Sequence, residues 1–189
     1  MRNSHRRALS LIEALIAAGL LGMVLTATYA TLVLSLRYQQ KHEDQVSAYQ
    51  EAFNGMNRMQ TALAAGAAES LVYQPDDTGF VFISAQPPGG GAFEHDDEGR
   101  PKWQKFVAFY LEGRLLRLKE KPFPPDSTLP ATPPLEDLSA DPTLTRVTVA
   151  HDVEVLRIGI GGDLTLKVKT QREKDYNSIT LRSRLAFRQ

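Results

Sequence analysis

The order of hydrophobic and polar positions divides the chain into an apolar helix, an amphipathic helix and a series of short strands. Residues 14–36 form a run of 23 residues without a charged side chain. At a rise of ~1.5 Å per residue this run makes about 35 Å of helix, which is enough to cross the hydrocarbon core of a bilayer. Residues 37–45 are abruptly polar but contain no glycine or proline, so the pattern predicts that the helix leaves the membrane unbroken.

A second helical pattern follows directly. Helix-forming residues continue to the alanine-rich stretch 64–68, where Gly66 offers a stop. Apolar residues recur there at the spacing of one helix face, which predicts that this face packs on a sheet. The face consists of Val46, Tyr49, Phe53, Met56, Met59 and Leu63.

The remainder of the chain has the two-residue period of β-strands. A proline-rich segment, 122–142, has seven prolines in 21 residues and is predicted to be a long exposed loop. The fold class is therefore α+β, a long N-terminal helix with a transmembrane half and an amphipathic half packed on an antiparallel sheet of roughly six to eight strands. The predicted strands are 71–73, 80–84, 102–111, 114–121, 147–149, 153–160, 164–170 and 178–187. Strands 102–111 and 114–121, joined at Glu112 and Gly113, are predicted to form a hairpin.

Charge is distributed unevenly although the formal net charge is zero. Arg2, Arg6 and Arg7 precede the apolar run, so the positive-inside rule places the N-terminus in the cytoplasm and the part after Arg37 outside. Without those three arginines, 19 basic residues face 22 acidic ones, a net charge of about −3, which does not favour bulk attraction to nucleic acid. The absence of cysteine excludes disulfides, thiolate metal sites and cysteine nucleophiles.

Three interpretations of the N-terminal segment compete. A secretory signal could be cleaved after Ala30, but its apolar region would be long and would contain Glu13. A twin-arginine export signal could use Arg6 and Arg7, although no cofactor motif follows that would require export of a folded domain. The third interpretation is a segment that stays attached to the chain as a membrane helix.

The sequence around Glu13 favours the third interpretation. Ala8 is followed by Leu9, Ser10, two aliphatic residues and Glu13, and this run lies between the basic leader and the apolar helix. The arrangement resembles the processing site of type IV pilin-like precursors, a family that usually has glycine where this chain has Ala8. Within the family, the cysteine-free sheet domain is most similar to minor components such as the J-type minor pseudopilins of type II secretion and the W-type minor pilins.

The resemblance implies a processed structural subunit and no catalytic activity or cofactor. A prepilin peptidase would remove leader residues 1–8 between Ala8 and Leu9, and the new amine of Leu9 would be methylated. The mature chain would hold a transmembrane segment, 9–36, an amphipathic continuation, 37–68, and a globular β domain, 69–189. It would wait in the inner membrane with its globular domain outside, then join a type IV pilus or type II secretion pseudopilus, at its tip.

The position of Glu13 in the apolar helix also predicts a role for it in assembly. A charged side chain near the centre of a helix in lipid costs roughly 2.5–3.5 kcal/mol on insertion scales, so it is retained for a reason. When helices pack side by side, the nearest cation is the free amine of Leu9 on a neighbouring copy. A carboxylate that snorkels to the membrane surface is the alternative. The partners implied are the peptidase, other pilin or pseudopilin subunits, the inner-membrane assembly platform and lipid.

Two further sets of side chains are candidate binding sites. Asp96, Asp97 and Glu98 offer the oxygen ligands that calcium uses, but their spacing matches no defined loop, so a solvated loop is favoured and no metal is expected. Basic residues on outer strand faces would suit a DNA-binding or adhesive subunit of an uptake pilus, yet they also protect strand edges, and nucleic acid is not expected as a partner. They are Lys167, Lys169, Arg182, Arg184 and Arg188.

The histidines give no support to an enzyme. None of the four has a partner at helical ligand spacing, and His151 with Asp152 lacks a serine in a nucleophile turn. A membrane-anchored enzyme or binding domain outside the cytoplasm is the remaining alternative class, and it would need a dense polar constellation that the sequence does not show.

Overall fold

The computed structural model describes residues 11–159, 162–169 and 178–184. The chain divides into two compact units, residues 1–43 and residues 44–189, which are described separately. Helix α1, Leu11–Ala64, contributes to both. The described part therefore has a long N-terminal apolar helix and antiparallel sheets, which confirms the α+β class.

The first unit is helical throughout its described residues. Its exposed large apolar side chains range from 50% exposed at Leu36 to 86% at Leu11, and the helix is long and apolar enough to cross a membrane. Three threonine hydroxyls donate to backbone carbonyls one turn earlier: Thr26 to Gly22, Thr28 to Val24 and Thr31 to Ala27, at 2.7–2.9 Å. These bonds satisfy polar groups that lipid could not.

The second part of α1 packs on the sheets, but with a different face from the one predicted. Met56, Met59 and Leu63 are buried as expected, whereas Val46, Tyr49 and Phe53 are 41–53% exposed. The buried positions before Met56 are instead the small residues Ala48, Ala52 and Gly55. Small side chains let the helix approach the sheets closely. The helix therefore buries its face of small residues rather than the face with the larger hydrophobic side chains.

The helix ends at Ala64, before the boundary at residue 68 that the sequence predicts. Gly66 pairs as an isolated bridge with Ser84, and the Ala67 N–H donates to the Ile83 carbonyl at 3.0 Å. A Cβ at Gly66 would lie 2.6 Å from the Phe82 ring, so only glycine allows the chain to leave the helix this close to the sheet. A short 3-10 helix, Ala68–Ser70, follows.

The strands form two antiparallel sheets rather than the one predicted. The first sheet has the order β1-β2-β3-β4-β5, and the second has the order β6-β7-β8. The predicted hairpin of β3 and β4 is confirmed, because Glu112 pairs with Leu115 across a two-residue turn that contains Gly113 at φ +63°. The strands are β1 Val72–Tyr73, β2 Gly79–Ser84, β3 Trp103–Glu112, β4 Leu115–Asp126, β5 Arg146–Ala150, β6 Val153–Ile158, β7 Asp163–Lys169 and β8 Ser178–Arg184.

The change of sheet occurs between β5 and β6. Asp152 has φ +53° at this corner, and β5 pairs with β4 while β6 pairs with β7. The main core is built from the two sheets and the second part of α1, which includes a stacked group of Phe80, Phe82 and Phe109 with centroids 5.5–6.4 Å apart.

The proline-rich segment is only in part the long exposed loop predicted. Its first residues extend β4 as far as Asp126, and residues Leu135–Ala140 form a short helix, α2. Leu135 and Leu138 of α2 are buried against Val81, Ala108 and Tyr110 in a second core on the other face of the first sheet. The prolines restrict the backbone before this helix, and the two buried leucines pack the helix against the sheet.

A buried lysine completes the attachment of α2. The Lys119 Nζ donates to the carbonyls of Ser139 and Asp141, both at 2.7 Å, and the residue is 5% exposed. These carbonyls lie at the C-terminal end of α2, where a helix lacks internal partners and attracts a cation.

Candidate functional site

The predicted processing and assembly residues lie at the start of the first unit. Ala8 and Leu9 lie outside the described residues. Glu13 is in the first described turn of α1 and is exposed, and its neighbours Leu11, Ile12 and Leu15 are 68–86% exposed. The carboxylate therefore lies on an apolar helix surface that needs lipid or other helices around it.

The exposed apolar face of α1 in the second unit was not predicted as a surface. Tyr49 and Phe53 stack with their ring centroids 6.3 Å apart and an interplanar angle of 14°. Together with Val46 they form what we call the outer stripe, on the side of the helix away from the buried Ala48, Ala52 and Gly55. The recurrence of small residues at 48, 52 and 55 was the sequence signal that separates the two faces.

The loop with Asp96, Asp97 and Glu98 is held by its own contacts. The Asp96 Oδ1 accepts from the backbone N–H groups of Glu98 and Arg100 at 3.0 and 2.8 Å, and its Oδ2 lies 2.7 Å from the Arg100 Nε. The Arg100 guanidinium also contacts the Glu98 Oε2 at 3.0 Å. Partial burial alone would raise the pKa of Asp96, but the hydrogen bonds from Arg100 and Glu98 lower it below its usual range.

These contacts leave the acidic loop with an internal cation rather than an open calcium cage. Across residues 11–159, 162–169 and 178–184, no group of three or more histidine, aspartate or glutamate side chains is placed to hold a metal ion.

Four of the five predicted basic residues lie on one face of the second sheet. Thr165 pairs with Arg182 and Lys167 with Thr180, so lysines 167 and 169 share a face with arginines 182 and 184. Arg188 lies outside the described residues. Both lysines already face a carboxylate, because Glu154 lies 2.9 Å from the Lys167 Nζ and 3.9 Å from the Lys169 Nζ.

His151 connects the corner between β5 and β6 to α1. Its backbone N–H donates to the Glu51 Oε2 at 3.1 Å, and its Nδ1 lies 3.5 Å from the Glu51 Oε1. Beside this contact lies a cavity of about 150 Å³, which Asp152 also lines. His151 and Asp152 thus lie at the turn between β5 and β6, where His151 contacts Glu51 of the helix.

Comparison of the chain with protein-family models, with curated proteins and with solved structures finds no match. Any function proposed for the chain therefore depends on the sequence motif and on the geometry of the described residues.

Proposed function

We propose that this chain is a minor pilin or pseudopilin, a non-catalytic structural subunit of a type IV pilus or type II secretion pseudopilus. The observation that carries the proposal is the order of features at its N-terminus: a basic leader, Ala8 and Leu9 at the cleavage position, and Glu13 within an apolar helix. The candidate membrane span that begins there and the antiparallel sheets that follow support it.

The proposed subunit enters the inner membrane with its N-terminus in the cytoplasm and is cleaved there by a prepilin peptidase. The amine of Leu9 then pairs with Glu13 of a neighbouring subunit, which neutralises both charges in lipid and sets the stagger between the two helices. The globular β domain remains outside, where it selects neighbours at the filament tip.

The outer stripe supports lateral packing against another subunit outside the membrane. Val46, Tyr49 and Phe53 follow the spacing of one helix face, and two of them are more than half exposed. Aromatic side chains contribute much of the contact energy in helical interfaces. Their exposure on a helix that already has a buried opposite face favours a second apolar partner.

A cross-linking experiment tests this packing, because the chain has no cysteine of its own. We expect Tyr49→Cys, carrying a photoreactive maleimide in native membranes, to capture a second protein that has its own glutamate-containing apolar N-terminal helix. Ala52→Cys is the matched control on the buried face, since Ala52 is 0% exposed. We expect it to give at least about fivefold less adduct.

The proposal fails if both cysteine variants give equal adduct, or if Tyr49→Cys captures lipid alone. Capture of proteins without such a helix also contradicts it. The DNA-binding alternative is less favoured, because Glu154 contacts two of the lysines on the basic face.

A further inference from the structure

An open groove in the second unit lies beside the end of α1 that contains Arg58. Two cavities, of about 260 and 510 Å³, share the lining residues Arg58, Lys105, Leu118 and Glu120. The two cavities adjoin each other at these four residues, and we call them together, as a smaller and a larger lobe, the Arg58 groove. Strands β3 and β4 supply its floor, and α1 supplies one wall.

The floor of the groove contains a buried ion pair. The Lys105 side chain is 4% exposed, and its Nζ lies 2.9 Å from the Oε1 of Glu120, which is 38% exposed. Among the described residues this is the one hydrogen bond that the Lys105 Nζ makes, whereas an ammonium has three donors. A buried ammonium with unused donors favours a further oxygen ligand.

Arg58 gives the groove a second cation. It is exposed on α1 and lines both lobes, and in the part of the chain that the structure describes no ion pair or hydrogen bond engages it. The lining thus carries two positive charges, Arg58 and Lys105, against the single negative charge of Glu120. One incoming carboxylate would balance these charges.

The walls of the larger lobe are mostly apolar, although Thr143 and Thr145 also line it. Leu118 is buried in its floor, Leu144 and Val147 are partly buried, and Pro88 and Pro122 are exposed at its margins. A volume of about 510 Å³ accepts two or three side chains of an extended peptide, and such concave, mostly apolar sites with few polar groups bind ligands well. Aliphatic side chains would therefore suit the walls on either side of the carboxylate.

We propose that the Arg58 groove binds an acidic peptide segment of a partner protein. A carboxylate of the segment contacts the Arg58 guanidinium and the Lys105 ammonium, and an adjacent aliphatic side chain lies against Leu118, Leu144 and Val147. Arginine suits this role because its planar guanidinium can donate two parallel hydrogen bonds to one carboxylate. This inference does not depend on filament assembly, since any protein outside the membrane could supply the segment.

The test uses the full chain in lipid nanodiscs and a labelled, end-blocked peptide of sequence Gly-Leu-Asp-Leu-Glu-Gly, followed by fluorescence anisotropy. We expect the acidic peptide to bind saturably. The isosteric amide peptide Gly-Leu-Asn-Leu-Gln-Gly should bind at least about tenfold more weakly, because it cannot form the charge-assisted hydrogen bonds. We expect Arg58→Gln to weaken binding of the acidic peptide by a similar factor. The matched control is Arg182→Gln, because Arg182 is exposed on β8 outside the groove. This variant should leave binding unchanged.

Three results would overturn the proposal: no saturable binding of the acidic peptide, equal binding of the amide peptide, or equal losses in the two arginine variants. Displacement of the peptide by free glutamate at equal concentration would also overturn it, because the site would then be a small-carboxylate site. Arg58 is exposed, so its replacement should leave thermal unfolding unchanged, and a melt of each variant checks this.

Discussion

Replacement of Gly55 by leucine is expected to destabilise the globular unit by about 3 kcal/mol or more. A Cβ at Gly55 would lie 3.1 Å from the Leu166 Cδ2, 3.2 Å from the Ala150 Cβ and 3.7 Å from the Leu116 Cδ2. These three neighbours belong to β7, β5 and β4, so both sheets meet the helix at this position. A leucine adds three further carbons where a single one already makes tight contacts.

Thermal unfolding of the full chain in detergent, followed by the fluorescence of Trp103, measures the effect. Asn57→Leu is the matched control, because Asn57 is exposed on the same helix, and we expect it to change stability by no more than about 0.5 kcal/mol. Gly55→Ala should fall between the two, since alanine gains about 1 kcal/mol of helix propensity but must displace its neighbours slightly. Equal stability of the two leucine variants would show that α1 does not pack on the sheets through this face.

Replacement of Glu13 by alanine is expected to remove the subunit from assembled filaments while leaving it in the membrane. The alanine variant no longer carries a carboxylate that costs roughly 2.5–3.5 kcal/mol in lipid, so membrane insertion is not weakened. It does lose the partner that we propose for the Leu9 amine of its neighbour. We expect at least about a tenfold reduction in the amount recovered with sheared filaments, at unchanged membrane abundance.

The control for this prediction is Thr26→Ala on the same helix. The Thr26 hydroxyl bonds to the Gly22 carbonyl of its own helix, so its removal should leave assembly at the level of the unaltered protein. Normal co-assembly of Glu13→Ala would contradict the charge-pairing role. Loss of the variant from the membrane itself would contradict the assignment of Glu13 to assembly rather than insertion.

Local patterns predicted most of the secondary structure. In β7 the alternation of Leu164, Leu166 and Val168 with polar residues places these three in the core, and all three are buried. The turn at Gly113 likewise connects the predicted hairpin. Such features depend on neighbours within a few residues, so the sequence contains them directly.

Packing between distant segments was harder to predict. Hydrophobicity placed Tyr49 and Phe53 in the core, but the close approach of α1 to both sheets selects Ala52 and Gly55 instead. The division into two sheets depends on a corner at Asp152 that no pattern of alternation marks. In the proline-rich segment, leucines 135 and 138 are buried because they cover the apolar face of the first sheet that does not contact α1.

The candidate sites likewise include one that the sequence reveals and one that only the fold assembles. The motif from Ala8 to Glu13 is contiguous, so it could be found in the sequence, and its meaning comes from family resemblance. The Arg58 groove could not be found there, because Arg58, Lys105 and Glu120 are brought together only by the fold. Lysines 167 and 169 were correctly assigned to one strand face, but their contact with Glu154 required the register of β6 against β7.

The most direct test of the proposed function is the intact mass of the protein produced together with a prepilin peptidase. We expect loss of residues 1–8 and one added methyl group on the amine of Leu9, and a sample produced without the peptidase should keep its leader. Ala8→Gly, which introduces the residue usual in type IV pilin-like precursors, should be cleaved at least as fully. A cut after Ala30, or a full-length chain in the presence of active peptidase, would contradict the proposed function.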